Sequence, residues 1–139
     1  SSAASDVYKR QMLDYDEYYK AVRGNVNDVF YYYREQAAVQ AKQFQRALDD
    51  LAKAIELNPK ELTYFSELAV VNIRVGRNEE AIKVLKDALE IDSKYAEAYR
   101  LIGVAQLQLK QNKEACASFA KAKELGDPNV DALIEKHCK

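Results

Sequence analysis

The sequence is poor in helix-breaking residues and in several residue types that carry enzyme chemistry. Its 139 residues include only 4 glycines and 2 prolines, no tryptophan and 1 histidine. So few breaking residues favour a chain of helices with short connections. A net charge of −1 provides no electrostatic basis for binding nucleic acid or an acidic membrane surface. No apolar stretch approaches the ~20 residues that a membrane-spanning helix needs, so we expect no membrane insertion.

Catalytic, cofactor and metal sites also lack support in the sequence. Neither a Gly-rich phosphate loop nor a nucleophile-elbow motif is present, and a histidine-based catalytic set would depend on His137 near the end of the chain. One histidine beside Cys138 is too little for a metal site. We therefore predict that the chain is not an enzyme and holds neither a cofactor nor a metal ion.

Two cysteines are too few for a disulfide framework. Cys116 follows Ala115 in a segment with helical apolar spacing, so we expect a buried thiol that packs as a small apolar group. A disulfide with Cys138 is the alternative. It requires the end of the chain to fold back onto that helix with a narrow range of geometries.

A 34-residue repeat is the strongest pattern in the chain. The segment 46–59 places small and apolar residues at spacings of three and four, as one face of a helix requires, and it ends at Pro59. The same pattern returns twice. The three copies contain Ala47, Leu51 and Ala54; Ala81, Leu85 and Ala88; and Ala115, Phe119 and Ala122. A fixed period of this size predicts a stack of similar helix pairs.

The apolar spacing predicts eight helices joined by short linkers, which makes neighbouring helices antiparallel. We expect them at 12–23, 28–42, 44–57, 62–75, 78–91, 95–109, 112–125 and 129–137. They group into the second helix of a truncated repeat at 12–27, three complete repeats at 28–61, 62–95 and 96–129, and a capping helix at 130–139.

The repeats resemble the tetratricopeptide repeat (TPR) family. The bulky residue early in each unit is Tyr31, Phe65 and Tyr99, and the apolar-small pair that follows is Leu68-Ala69 and Ile102-Gly103. Gly76 matches the turn glycine, and Pro59 and Pro128 match the closing proline, the latter shifted by one residue. The chain departs from the pattern at Arg34-Glu35, where the apolar-small pair is expected, and at Lys42 and Lys110, which replace the turn glycine.

This resemblance implies an all-α fold, a right-handed α-solenoid of antiparallel helix pairs with a C-terminal capping helix. It also implies a concave groove lined by the first helix of each unit, which takes a peptide or a helix. The candidate groove residues are Tyr32, Gln36, Gln40, Ser66, Val70, Arg74, Glu97, Arg100, Val104 and Gln108, with Val29 and Thr63 as further lining positions. We expect Tyr32 to be an apolar anchor, and Arg74 and Arg100 to pair with carboxylates.

Some family members hold the C-terminal carboxylates of chaperones with lysine, asparagine and arginine side chains. The corresponding positions here are Tyr32, Gln36, Glu67, Glu97 and Leu101. None of them supplies a cation, and two would repel a carboxylate. We therefore predict that the chain has no carboxylate clamp.

Residues 1–11, SSAASDVYKRQ, resemble the translated read-through of a sequencing adapter. This resemblance implies a non-native or disordered tail and a natural protein that begins further upstream, which leaves the compartment open. We predict a protein-binding or peptide-binding adaptor or scaffold. The alternative is a structural spacer, or an element that self-associates through the exposed face of the N-terminal repeat.

Overall fold

The computed structural model describes residues 2–139, and within that range it contains eight α-helices and no strand. They are α1 (Ser2–Ala21), α2 (Asp28–Gln40), α3 (Phe44–Leu57), α4 (Leu62–Arg74), α5 (Asn78–Ile91), α6 (Ala96–Gln108), α7 (Asn112–Glu124) and α8 (Asp131–His137). The bounds of α2 to α8 lie within two residues of the predicted ones. None of the helices in the described range is long and apolar enough to cross a membrane.

Only α1 differs clearly from its predicted extent. It is helical from Ser2, so residues 2–11 continue the predicted N-terminal helix instead of forming an irregular tail. The origin of residues 1–11 stays a prediction. At its other end the helix stops just before Arg23 and Gly24, both of which have positive φ, at 54° and 71°.

In three helix pairs, the turn between the helices contains a residue with left-handed backbone conformation, and these residues are 34 positions apart. Lys42, Gly76 and Lys110 have φ values of 58°, 82° and 61°. In each case the following amide donates back to a carbonyl of the preceding helix, as Arg77 N does to Asn72 O at 2.8 Å. This geometry favours glycine, because a side chain in the left-handed region is strained. The two lysines therefore adopt the turn at an energetic cost, and the departure from the family pattern changes the residue without changing the turn.

The chain divides into two compact units, of which unit 1 ends at Tyr64 and unit 2 runs from Phe65 to Lys139. In unit 1, α2 packs on α3 and α1 packs on α2. The buried centre there is Tyr31, Ala54 and Tyr64, surrounded by partly buried apolar side chains that include Tyr19 and Phe30. The aromatic run of α2 thus supplies part of the core of unit 1.

Arg34 explains one departure from the family pattern. Its guanidinium donates two hydrogen bonds to Asp50, at 2.9 and 2.7 Å, and Asp50 is only 2% exposed. The rings of Tyr19, Phe30 and Tyr31 lie 5.2–5.5 Å from the guanidinium carbon. Burial by itself would lower the pKa of Arg34, but the hydrogen bonds and charge of Asp50 outweigh it and raise that pKa. A buried ion pair therefore takes the place of an apolar contact between α2 and α3.

Unit 2 contains two apolar clusters, one on each side of α6. The first joins α4, α5 and α6 through eight buried residues: Ala69, Ile73, Ala81, Leu85, Ala98, Leu101, Ile102 and Ala105. The second joins α7 to the segment around α8 through Ala115, Phe119, Ala122 and Val130. Gly103 lies against Phe119 so closely that a Cβ atom on it would be 2.4 Å from the ring. Small residues on α6 therefore set how near α7 can approach.

The expectation of a free buried thiol at Cys116 is wrong. Cys116 forms a disulfide with Cys138, and their Cα atoms are 5.6 Å apart. The bond forms because the end of the chain folds back along α7, where Leu133 and Ile134 pack against the Phe119 cluster. The alternative that required this fold-back is the one found in the structure.

Candidate functional site

In unit 2 the candidate binding residues lie on α4 and α6, the first helices of two successive repeats. These helices pack together through alanines and branched residues, such as Ala69 with the buried side chains of α6. Residues four apart share one side of a helix, so each of these helices also has a side that faces away from this core and is partly or fully accessible. We call these accessible side chains the first-helix face: Val70, Arg74, Glu97, Val104 and Gln108. Val70 is 41% exposed, although it is apolar.

Apart from Val70, two residues of the first-helix face are exposed and two are half-buried. Arg74 and Gln108 are exposed at the ends of their helices, whereas Glu97 and Val104 are half-buried. Val104 packs against both apolar clusters of unit 2, so its side chain contributes to the core as well as to the surface. The accessible part of the face therefore centres on Val70 and Arg74, with Gln108 on the neighbouring helix.

Ser66 is not accessible, although its spacing predicts a groove position. It is 3% exposed and hydrogen-bonded to Tyr95. Tyr95 in turn donates a hydrogen bond to Glu97 at 2.8 Å. Burial is the main cause that raises the pKa of Tyr95 to about 12, and the carboxylate of Glu97 adds to it. Ser66 thus supports the position of Glu97 from beneath the surface.

Arg100 is also engaged within the protein. Its Nε lies 3.0 Å from an oxygen of Asp127, whose side chain is 2% exposed, and its Nη2 lies 3.3 Å from Glu97. Asp127 accepts a further hydrogen bond from the backbone of Asn129 at 2.7 Å. The guanidinium therefore joins α6 to the turn after α7. It was expected to pair with a ligand carboxylate, but in this structure it pairs with two of the protein's own.

The surroundings of Glu67 are acidic. This side chain is half-buried on α4, and its pKa is raised first by burial and then by the negative charge of Glu97. Leu101, another position of the carboxylate-clamp pattern, is 6% exposed and belongs to the apolar core. Three of the five clamp positions therefore consist of two carboxylates and one core leucine.

The remaining candidate residues belong to α2 in unit 1. Gln36 and Gln40 are exposed, and Tyr32 is half-buried. The ring of Tyr32 lies 5.3 Å from that of Tyr64 and 5.7 Å from that of Tyr33. Tyr32 is thus part of an aromatic group and presents only part of its ring.

Tyr95 and Asp127 are the residues that the repeat pattern did not identify as important for this surface. Tyr95 lies in the linker before α6 and Asp127 in the turn after α7, and neither belongs to a helical apolar stripe. Their partners are set by tertiary contacts, so no signal in the sequence pointed to them. Together they orient Glu97 and Arg100.

Comparisons with known proteins agree with the repeat architecture. A model described as TPR repeat matches residues 73–110, and one described as Tetratricopeptide repeat matches residues 96–125. The solved Arabidopsis OM64 TPR domain is 30% identical, with a TM-score of 0.66 over 73% of this chain and 85% of that domain. The chain belongs to the tetratricopeptide repeat family. No curated protein sequence matches it.

Two more distant TPR structures share the fold. YrrB, described as a TPR protein with an unusual peptide-binding site, is 23% identical, with a TM-score of 0.77 over 96% of this chain and 68% of YrrB. The first TPR of Spaghetti (RPAP3), bound to the HSP90 peptide SRMEEVD, is 18% identical, with a TM-score of 0.72 over 81% of this chain and 90% of that one. The predicted all-α fold class, a helical solenoid of TPR type, is confirmed. TPR arrays are protein–protein interaction modules, and this chain is one.

Proposed function

We propose that this TPR protein binds an extended peptide or a helix of a partner protein through the first-helix face. The observation that carries the proposal is the exposed apolar side chain of Val70 beside the exposed Arg74, on a helix whose other side is packed in the core. An apolar side chain with a charged neighbour suits a partner that offers both an apolar anchor and polar groups. YrrB, which has the same fold, is described as having an unusual peptide-binding site, and this description supports peptide binding in general.

Selection of binding peptides tests the proposal. Random dodecapeptides displayed on phage are selected on the full chain, and the best peptide is synthesised and measured by calorimetry against variants. Val70→Glu and Arg74→Glu are each expected to weaken binding by about tenfold or more, because they change anchor positions of the face. Lys86→Glu on α5, an exposed position on a second helix, is the matched charge control and should leave the affinity unchanged.

If the selected peptides bind both face variants as tightly as the unmodified chain, the first-helix face is not the binding surface. If Lys86→Glu weakens binding as much as Arg74→Glu, the loss of affinity comes from the change in net charge and not from the first-helix face. Either result contradicts the proposal.

We further propose that the protein does not bind the acidic C-terminus of a chaperone as a carboxylate clamp. Glu67 and Glu97 stand at two positions of the clamp pattern, and the pKa of Glu67 is raised first by its burial and then by the negative charge of Glu97. A ligand carboxylate placed there would be repelled. Calorimetry with the peptide SRMEEVD should show no binding at micromolar concentration. Binding at that concentration would contradict this part of the proposal.

Self-association is a second candidate function, supported by one feature of unit 1. Tyr18 and Tyr33 are 56% and 53% exposed. A cavity of about 330 Å³ beside Tyr18 is lined by Gln11, Asp14, Tyr15, Tyr18 and Phe30. Exposed aromatic side chains of this kind are enriched at interfaces. Light scattering over a range of concentrations should show dimers that Tyr18→Ser removes, and a monomer at every concentration would rule this candidate out.

A further inference from the structure

The disulfide lies at the shortest helix within residues 2–139. It joins Cys116 on α7 to Cys138, which directly follows α8, across 22 positions of sequence. α8 has only seven residues, none of them buried, and no side chain caps its N-terminus. A helix this short does not form on its own in water, so its structure depends on what attaches it to the rest of unit 2.

Non-covalent contacts hold α8 only partly. Val130, just before the helix, is fully buried, and Leu133 and Ile134 pack against the cluster around Phe119. The ion pair between Lys123 and Asp131 joins two side chains that are 63% and 76% exposed, so it contributes little. Three apolar side chains on one side are therefore the main attachment of α8 apart from the disulfide.

α8 covers a surface that a longer helix covers elsewhere in unit 2. The buried cluster of α4 and α5 is covered by α6, which has thirteen residues. The corresponding cluster of α7, with Phe119 at its centre, is covered by a helix of seven. Tyr99, Val104 and Leu107 on α6 border the same cluster and are only partly buried. The terminal repeat therefore has an apolar surface whose cover is short and covalently held.

We propose that the disulfide is a redox latch that keeps α8 on the terminal repeat. Both cysteines are half-buried, so a thiolate from solvent can reach the bond. A dithiol reductant supplies two electrons and two protons: the S–S bond breaks, Cys116 and Cys138 become thiols, and the reductant becomes a disulfide. The restriction on the 22-residue loop is then lost, and α8 detaches far more often. Detachment exposes the apolar surface around Phe119.

Hydrogen exchange measured by mass spectrometry tests the latch on the full chain. Oxidised protein is compared with protein treated with a phosphine reductant, and an intact-mass gain of about two hydrogens verifies that the bond was present and broken. We expect amides of α8 to exchange about tenfold to a hundredfold faster after reduction, as the loss of loop restriction implies. Amides of α4 and α5 should keep their protection.

The double variant Cys116→Ser/Cys138→Ser is the matched control. It should resemble the reduced protein in both buffers and show no response to the reductant. Equal protection of α8 before and after reduction would refute the latch, as would the absence of the mass change. A loss of protection throughout α4 to α7 would refute it as well, because the bond would then stabilise the whole of unit 2 rather than one helix.

Discussion

Replacing Gly103 by alanine should destabilise the protein, although alanine is the better helix former. A Cβ atom at this position would lie 2.4 and 2.6 Å from two ring carbons of Phe119, whereas carbon atoms prefer separations of about 3.5–4.0 Å. Phe119 is fully buried, so the ring has no open space into which to move. Overpacking of this kind costs about 1–3 kcal/mol. The gain in helix propensity returns about 1 kcal/mol, which leaves a net loss of up to about 2 kcal/mol.

The equivalent pair of residues in the preceding repeat suggests a second substitution that should offset the first. Thirty-four residues earlier, the same two positions are Ala69 and Leu85, and both are completely buried. Phe119→Leu alone leaves unfilled space beside Gly103 and should cost about 1–3 kcal/mol. The double variant Gly103→Ala/Phe119→Leu rebuilds the earlier pair, so we expect it to be within about 1 kcal/mol of the unmodified protein.

Urea unfolding followed by circular dichroism, without reductant, measures the four free energies of unfolding in this cycle. The slope of each transition must stay constant for the values to be compared. The reasoning would be refuted if Gly103→Ala were as stable as the unmodified chain. It would also be refuted if the double variant lost the sum of the two single effects, because the two side chains would then be energetically independent.

Three further predictions follow from the ion pairs and turns. Lys110→Gly should stabilise the fold by about 0.5–1 kcal/mol in urea unfolding, because it removes a side chain from left-handed backbone. Arg34→Ala should cost about 3–5 kcal/mol by leaving Asp50 buried without its partner, whereas Arg34→Met with Asp50→Leu should recover most of that loss. Glu67 has a raised pKa, so the folded state loses stability as pH rises and this group ionises beside Glu97. Glu67→Gln should therefore stabilise the protein by about 0.2–1 kcal/mol at neutral pH and not below about pH 4, and an equal gain at both pH values would contradict the assignment.

The helices were predictable because each is encoded by local spacing. The stripe of Ala47, Leu51 and Ala54 needs only one face of one helix to be recognised, and its return every 34 residues fixes which helices correspond. Helix ends were less certain where a lysine occupies the turn position. Lys42 and Lys110 nevertheless adopt the left-handed conformation of Gly76, since the following amide is hydrogen-bonded to the preceding helix in each turn.

The sequence predicted the candidate positions, but it did not predict which of their side chains are buried or already paired within the protein. Helical spacing correctly separated Val70 and Arg74 from the buried Ala69. Spacing could not show that Ser66 is covered or that Arg100 is already paired, because Asp127 is 27 residues away from Arg100 and lies in a turn. Which polar groups remain for a partner depends on the contacts that the folded chain makes with itself.

The sequence by itself determined the number of helices from α2 to α8 and their bounds to within two residues, because helix formation depends on residues a few positions apart. The return of the same helical pattern every 34 residues also determined the repeat period and the family of the protein. Only the tertiary structure decided which distant side chains meet. It joined Arg34 to Asp50 across 16 residues and Cys116 to Cys138 across 22. Such pairs form where packed helices bring side chains within hydrogen-bonding or covalent distance, and helical periodicity contains no information about that distance.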